Sequence, residues 1–418
     1  MRKFKFFRFV EFLRENPSFF KVWLGYSQSN MGTRFTMIAR TILFYQITNS
    51  ASAVAIFSIF SMLPFILVSP IAGWFSDFIS RKKILIFSQI INGFLVLGYI
   101  IARDPWIFYI LVFLNGVSGV FFSTSFYSMV PQTVKDKDDI VTANSLNNFS
   151  ENLVDVLGPF LGAIVVKFWG FIPAFIIDSI TFFINAFLLS ITFISGEERF
   201  EKEIRPKALI LSFYNDTKEA IKFLINEGRF VKYILVTEFL TLLAGGTINN
   251  LLVVFTKEAL HSSEAMYGYL LSAGSIGALI GSFILGNLNM KITSYKLYFV
   301  GLISIGSFLT IFSFANNISL GLILFFLNGI ANALLQVGFM SAIMANVSSQ
   351  YRGKIFSIYI VSSTLGSVIS LLISQRMLTG LNIQVIYRIG ALFILMISAI
   401  RFIRIQYFKS KKVPWVSY

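Results

Sequence analysis

The sequence predicts an all-α integral membrane protein, with twelve transmembrane helices arranged as two six-helix bundles in a parallel pseudo-two-fold repeat. Three observations carry that expectation. First, 56% of the 418 residues are hydrophobic and only 13% are charged, with a mean hydropathy of +0.75. A water-soluble domain carries about 25% charged residues to cover its surface. Second, the apolar residues gather into stretches near or above the roughly 20 residues that a helix needs to cross hydrocarbon, where backbone groups must be satisfied internally. Third, one half of the chain echoes the other in a fixed register.

In order, the apolar stretches cover 19–47, 52–76, 84–102, 106–131, 140–166, 171–194, 230–256, 264–290, 296–315, 319–346, 354–378 and 383–404. Between the sixth and seventh lies the only long polar segment, Ser195 to Arg229, which holds Glu197, Glu198, Arg199, Glu201, Lys202 and Glu203. The chain therefore divides into an N-terminal six-helix bundle over 1–194, a cytoplasmic linker over 195–229, and a C-terminal bundle with a basic tail over 230–418. Within the linker, Phe213, Ala220, Ile221, Leu224 and Ile225 recur at helical spacing opposite Asp216, Lys218, Glu219 and Lys222. That spacing predicts an amphipathic helix at the membrane interface. The opening residues, MRKFKFFRFVEFLRE, alternate basic and aromatic side chains. They read either as a helix on the anionic inner leaflet or as a positively charged anchor for the first span.

The net charge of +15 is explained by where the basic residues fall. With both termini on one side, 28 of the 35 lysines and arginines lie at that face. The opposite loops carry only Arg103, Lys167 and Lys257. This bias places both termini in the cytoplasm of a multi-pass protein of the inner, or plasma, membrane. Nucleic-acid binding is not expected, because the basic residues mark topology. The chain has no cysteine and one histidine, His261, so neither a metal site nor a bound cofactor is expected. No phosphate-cradling G-x-x-x-x-G-K-[ST] loop is present, which argues against ATP hydrolysis. A proton gradient is the expected energy source.

The internal repeat is read directly. Phe113-Leu114-Asn115-Gly116 returns as Phe326-Leu327-Asn328-Gly329, an offset of 213 residues, and the same offset takes Gly32 to Gly245, Gly73 to Gly286 and Lys83 to Lys296. Six spans per half give both halves the same orientation, a parallel repeat about the membrane normal. Between the second and third spans stands Gly73-Trp74-Phe75-Ser76-Asp77-Phe78-Ile79-Ser80-Arg81-Lys82-Lys83. Asp77 at a helix end either latches a neighbouring helix terminus or sits in a simple tight turn whose charges are topological. The fifth span carries Leu157-Gly158-Pro159-Phe160-Leu161-Gly162, and the sixth carries Asp178. Proline frees a backbone carbonyl, and Gly158 and Gly162 permit close helix contact, so this step serves packing, gating or both.

Together these residues resemble the major facilitator superfamily, in its drug:proton antiporter branch with macrolide and siderophore exporters. The Gly73–Lys83 loop resembles that superfamily's signature, although Phe78 and Ser80 replace a basic residue and a glycine, and Met290 stands at the position equivalent to Asp77. Gly32 is followed by Thr33 and Arg34 where the family often has an acid. The resemblance implies substrate binding between two rocking halves and cytoplasmic gating by Gly73, Asp77, Arg81 and Lys82.

Ionisable groups at membrane depth are costly and mark function by default. At about 1.5 Å rise per residue, Arg34 and Glu151 fall mid-membrane, with Asp155 one turn outward from Glu151. The expected pairing is Arg34 with Glu151 or Asp155, either as a permanent bridge or as a proton-coupling switch. Glu238, on the seventh span, is a second candidate for the cavity. Asp178, Arg376 and Arg388, with Arg40, count nearer the outer interface and are candidates for an outer gate. The 48 phenylalanines and 11 methionines would suit an apolar ligand, though most face lipid or core in a chain this hydrophobic.

The expectation is therefore a monomeric secondary transporter, not an enzyme, that exports an amphipathic small molecule in exchange for protons by alternating access. Two rivals stand beside it. One is an uncoupled facilitator or flippase for a lipid, siderophore or metabolite, with Arg34 holding an anionic head group. The other is a non-transporting receptor or scaffold on the same fold, for which buried charges would have no use.

Overall fold

A computed structural model describes residues 6–69, 71–72, 75, 79–136, 139–193, 218–219, 221–226, 228–287 and 293–411. Its described residues are helical and turn segments throughout. Gly73, Asp77 and most of the polar linker lie outside that range, with Phe213, Asp216 and Ala220. Two compact units divide the chain. Unit 1 comprises Met1–Ile47 and Phe60–Arg205, and unit 2 comprises Thr48–Ile59 and Pro206–Tyr418.

In unit 1 the helices are α1 (Phe6–Glu15), α2 (Pro17–Thr48), the latter part of α3 (Ala51–Leu67), α4 (Arg81–Ile101), α5 (Pro105–Met129), α6 (Ile140–Trp169) and α7 (Phe171–Ser190). Unit 2 adds α8 (Arg229–Asn250), α9 (Leu252–Glu258), α10 (Met266–Asn287), α11 (Ser294–Phe312), α12 (Ile318–Asn346), α13 (Ser349–Met377) and α14 (Ile383–Ser410). Among the described residues ten helices are long and apolar enough to cross a membrane, and α3 is a shorter apolar helix of 17 residues.

The repeat is visible in the helix starts. Arg81 and Ser294 open α4 and α11, Pro105 and Ile318 open α5 and α12, and each pair lies 213 residues apart. The recurring Phe-Leu-Asn-Gly glycines share a structural job. A Cβ on Gly116 would meet Pro64 Cγ of α3 at 2.7 Å, while one on Gly329 would run into the backbone carbonyl of Gly274 in α10. Both are places where a helix backbone presses on its neighbour, which only a residue without a side chain allows.

The predicted seventh span is divided. α8 stops at Asn250 and α9 resumes at Leu252. Asn250 Nδ2 turns back to donate to the Gly246 carbonyl at 2.7 Å. A side-chain amide that bonds the backbone locally competes with the helical ladder, and two adjacent glycines, Gly245 and Gly246, weaken it further.

The amino terminus is a docked helix. Phe12 is buried beside Phe19, Leu85, Phe126 and Met129, with the Phe12 and Phe19 rings 5.2 Å apart edge to face. Asn16 closes the joint: its Nδ2 donates to Phe12 O at 3.1 Å, and its Oδ1 accepts from Lys135 N at 2.8 Å. Phe12→Ala should cost about 3 kcal/mol of stability, the usual penalty for emptying a buried aromatic site. Thermal unfolding in detergent would show it, and an unchanged melting temperature would mean α1 is not docked in solution.

Three donors close the end of α7. Ser18 Oγ donates to Phe193 O at 2.8 Å, Lys21 Nζ to Ile191 O at 3.4 Å, and Lys82 Nζ to Thr192 O at 2.9 Å. Carbonyls at a helix C-terminus lack intrahelical partners, so lysines placed there satisfy both hydrogen bonding and the helix dipole. In unit 2 the linker's helical residues 221–226 pack against α13. Phe223 stacks on Tyr351 with centroids 4.8 Å apart, Glu219 pairs with Lys354 at 2.7 Å, and Leu224 is buried in the core. Ile221 and Ile225 stay exposed.

Candidate functional site

α2 and α6 run parallel through unit 1. Trp23 Nε1 donates to Ser150 Oγ at 2.8 Å, and further along the same two helices Tyr26 meets Glu151 and Arg34 meets Asp155. Arg34 and Asp155 each stand near the middle of their helix. Arg34 Nη2 donates to Asp155 Oδ1 at 2.5 Å, and the two side chains remain 35% and 47% exposed. The pair is therefore made and still reachable. Glycine permits it: a Cβ on Gly158 would lie 2.6 Å from Arg34 Cβ, and one on Gly162 would lie 3.1 Å from Phe35 Cα. In this structure the Gly158-Pro159 step is a packing surface, and α6 continues as helix through Pro159.

Of the two acids the sequence left open as Arg34's partner, the structure selects Asp155. Glu151 is held by neutral donors instead. The hydroxyls of Tyr26 and Tyr127 both donate to its Oε1, at 2.8 and 3.0 Å. Tyr26 lies two turns before Arg34 on α2, so parallel helices deliver a tyrosine to Glu151 and the guanidinium to the next acid along.

A second acid is placed more deeply than its position along α7 suggests. Asp178 is fully buried and lines a cavity of about 310 Å³ within unit 1, together with Thr36, Arg40, Gln89, Asn92 and Asn115. Its Oδ1 accepts from Thr181 Oγ1 at 3.4 Å, and its Oδ2 has no hydrogen-bond partner. Arg40 and the Thr36 hydroxyl face the carboxyl. A Cβ on Gly32 would come within 2.7 Å of Asp178 Oδ1, so Asp178 sits level with the middle of the 32-residue α2. Counting residues from the start of the 20-residue α7 put it near the outer interface, because helices of unequal length do not share a depth scale. The cavity wall is cross-linked: Tyr99 Oη donates to Asn115 Oδ1 at 3.0 Å, and Asn115 Nδ2 donates to Asn92 Oδ1 at 3.1 Å.

In unit 2, Glu238 is only 6% exposed. The Tyr298 hydroxyl faces its carboxyl, outside good hydrogen-bond geometry. Arg376 is exposed in the last turn of α13, and Arg388 lies with Cζ 3.9 Å above the Phe314 ring. Neither arginine makes an ion pair among the described residues. Arg81 opens α4 and Lys82 clasps Thr192, as described above. A residue that sequence reasoning did not bring against α2 is Asp178. Its signal was the register of Gly32, whose missing side chain makes room for the acid.

The sequence profile of the transmembrane secretion effector family, a major facilitator family, matches residues 13–414. The chain belongs to that family. It is a multi-pass membrane transporter of the major facilitator superfamily, and not an enzyme. It is similar to the uncharacterized MFS-type transporter YfiS of Bacillus subtilis, 22% identical over 87% of each chain. It is also similar to the multidrug resistance protein MdtG of Salmonella arizonae, 27% identical over 70% of each chain. Among solved structures, a variant of the peptide transporter POT in complex with alafosfalin covers 93% of this chain and 94% of its own, with TM-score 0.73 at 13% identity. A variant of the nucleoside transporter NupG reaches TM-score 0.71 over 93% of this chain and 99% of its own, also at 13% identity. These likenesses establish the fold.

Proposed function

We propose that this transporter exports an amphipathic small molecule in exchange for protons, by alternating access of two six-helix bundles that together hold twelve spans. The observation that carries the reading is the Arg34–Asp155 pair, made at 2.5 Å yet exposed on both side chains. If α2 crosses the membrane beside α6, a charged pair kept within reach at the middle of both helices costs stability that a static span would avoid. Protonation of Asp155 would release the guanidinium, and a substrate that engages Arg34 would release the carboxylate. Either event links a proton to cargo. Glu151 and Glu238 are further carriers, and Asp178 joins them through its unpartnered Oδ2 at the cavity of unit 1. The multidrug resistance name of the MdtG relative supports an apolar or amphipathic cargo. The charge bias of the loops supports the cytoplasmic membrane with both termini inside. The working form is a monomer, and no cofactor besides the gradient is required.

One observation favours a second reading. Arg34 is accessible in its own right, and an uncoupled facilitator or flippase would use it to hold an anionic head group.

Proteoliposomes with an imposed pH gradient separate the two. Flux of dyes, macrolides, siderophores and lysolipids is measured for the native protein and for Glu151→Gln and Asp155→Asn. Gradient-driven uptake that disappears in a variant is the expected result. Flux indifferent to pH and to both substitutions would overturn proton coupling and leave the facilitator.

A further inference from the structure

A cavity of about 400 Å³ lies wholly in unit 2, between the first turns of α8 and the end of α14. Four cations line it, Arg229, Lys232, Arg401 and Arg404, and among the described residues no acid does. Arg229, Lys232 and Arg404 have no carboxylate partner among the described residues, and Arg401 is aimed rather than neutralised. Arg401 Nε donates to Thr237 Oγ1 at 3.0 Å and Nη2 donates to Tyr233 O at 3.2 Å. Its Cζ lies 4.0 Å above the Tyr233 ring, and the Tyr233 hydroxyl donates back to Arg401 O at 2.7 Å. These contacts hold the Arg401 guanidinium in one orientation at the cavity wall.

Like charges gathered in one concave wall repel each other and focus a positive potential that an anion relieves. Guanidinium and ammonium groups together match the oxygens of a phosphate group. The rim adds a second requirement. Ile225 and Val236 line the same cavity and stay exposed, so an apolar substituent beside the anion would be covered as well. This face also belongs to the end of the molecule where the sequence collects its basic residues, the setting in which basic pockets between spans meet phospholipid head groups.

We propose that this cavity is a phosphate-binding site, taking the phosphodiester of an anionic phospholipid or a free phosphate ion. None of the acids assigned to coupling is among its lining residues.

The test uses the full-length protein purified in a neutral detergent. Thermal unfolding is followed with added phosphatidylglycerol, phosphatidylcholine or inorganic phosphate, for the native chain, Arg229→Gln/Lys232→Gln, and Arg103→Gln as a control that does not line the cavity. Native mass spectrometry of the native chain counts retained lipid in parallel, so that the proposal stays testable if the double variant fails to fold. Phosphatidylglycerol is expected to raise the melting temperature and to be retained, with roughly fivefold weaker binding for each cation removed and no change in Arg103→Gln. Stabilisation by inorganic phosphate that equals that by phosphatidylglycerol would assign the free ion as ligand and keep the site. Equal responses to phosphatidylglycerol and phosphatidylcholine with none to phosphate would overturn the proposal, as would unchanged binding in the double variant.

Discussion

Gly329→Ala should unfold unit 2 at a lower temperature than any conservative change elsewhere in its core. The added methyl would enter the space held by the Gly274 carbonyl, and the adjacent contact, Gly277 against the Phe326 carbonyl, locks the same two helices. Overpacking costs about 1–3 kcal/mol when side chains can shift. Here the obstacle is backbone on α10, so α10 and α12 must part and the upper end of that range applies. Gly119→Ala is the matched control. Nothing lies within 4 Å of a Cβ there, and alanine improves helix propensity. Detergent melting curves that lower Gly329→Ala by several degrees and leave Gly119→Ala level would confirm the contact. Equal curves would mean the two helices pack less closely than described.

The second large effect concerns transport rather than stability. Asp155→Asn removes the partner of Arg34 and keeps the shape of the side chain. Because both side chains are partly exposed, the loss in stability should stay below about 1 kcal/mol. Flux should fall roughly tenfold or more, equivalent to about 1.4 kcal/mol in the rate-limiting step, because the guanidinium is left without its counter-charge. The reversed pair, Arg34→Asp with Asp155→Arg, should restore part of that loss, whereas each single reversal should not. Gly158→Ala offers an independent approach, since it displaces the Arg34 stem without altering any charge. A wild-type rate in Asp155→Asn would show the pair to be a fixed strut.

Most of the architecture was legible because it rests on chemistry that sequence carries directly. Apolar run length reports the thickness of hydrocarbon a helix must cross, and the helix starts at Arg81, Ser294, Pro105 and Ile318 reproduce the 213-residue offset. The break at Leu251 was not visible, because it depends on an asparagine that chooses its own helix over a neighbour. Within the site, helical spacing placed Arg34 near two acids but could not select between them. That choice depends on which α2 residue faces which α6 residue, a matter of rotation and register between helices distant in sequence. The contact of Asp178 with α2 was out of reach for the same reason. Its depth is set by the helix it touches, through Gly32, and not by its own count. The cation cavity was beyond reach altogether, since its walls come from residues some 170 positions apart.

Lys82 bears on how the orientation of such a protein is tested. Genetic studies of topology remove basic residues and ask whether the chain inserts the other way round. Lys82 contributes a charge to that balance, and its ammonium also clasps the final turn of α7 through Thr192. Deleting it would therefore alter insertion and loosen a helix end in a single stroke, and a fall in yield would have two authors. Glutamine at this position surrenders the charge while keeping a donor of similar reach. Comparison with alanine would then divide the phenotype between translocation and folding.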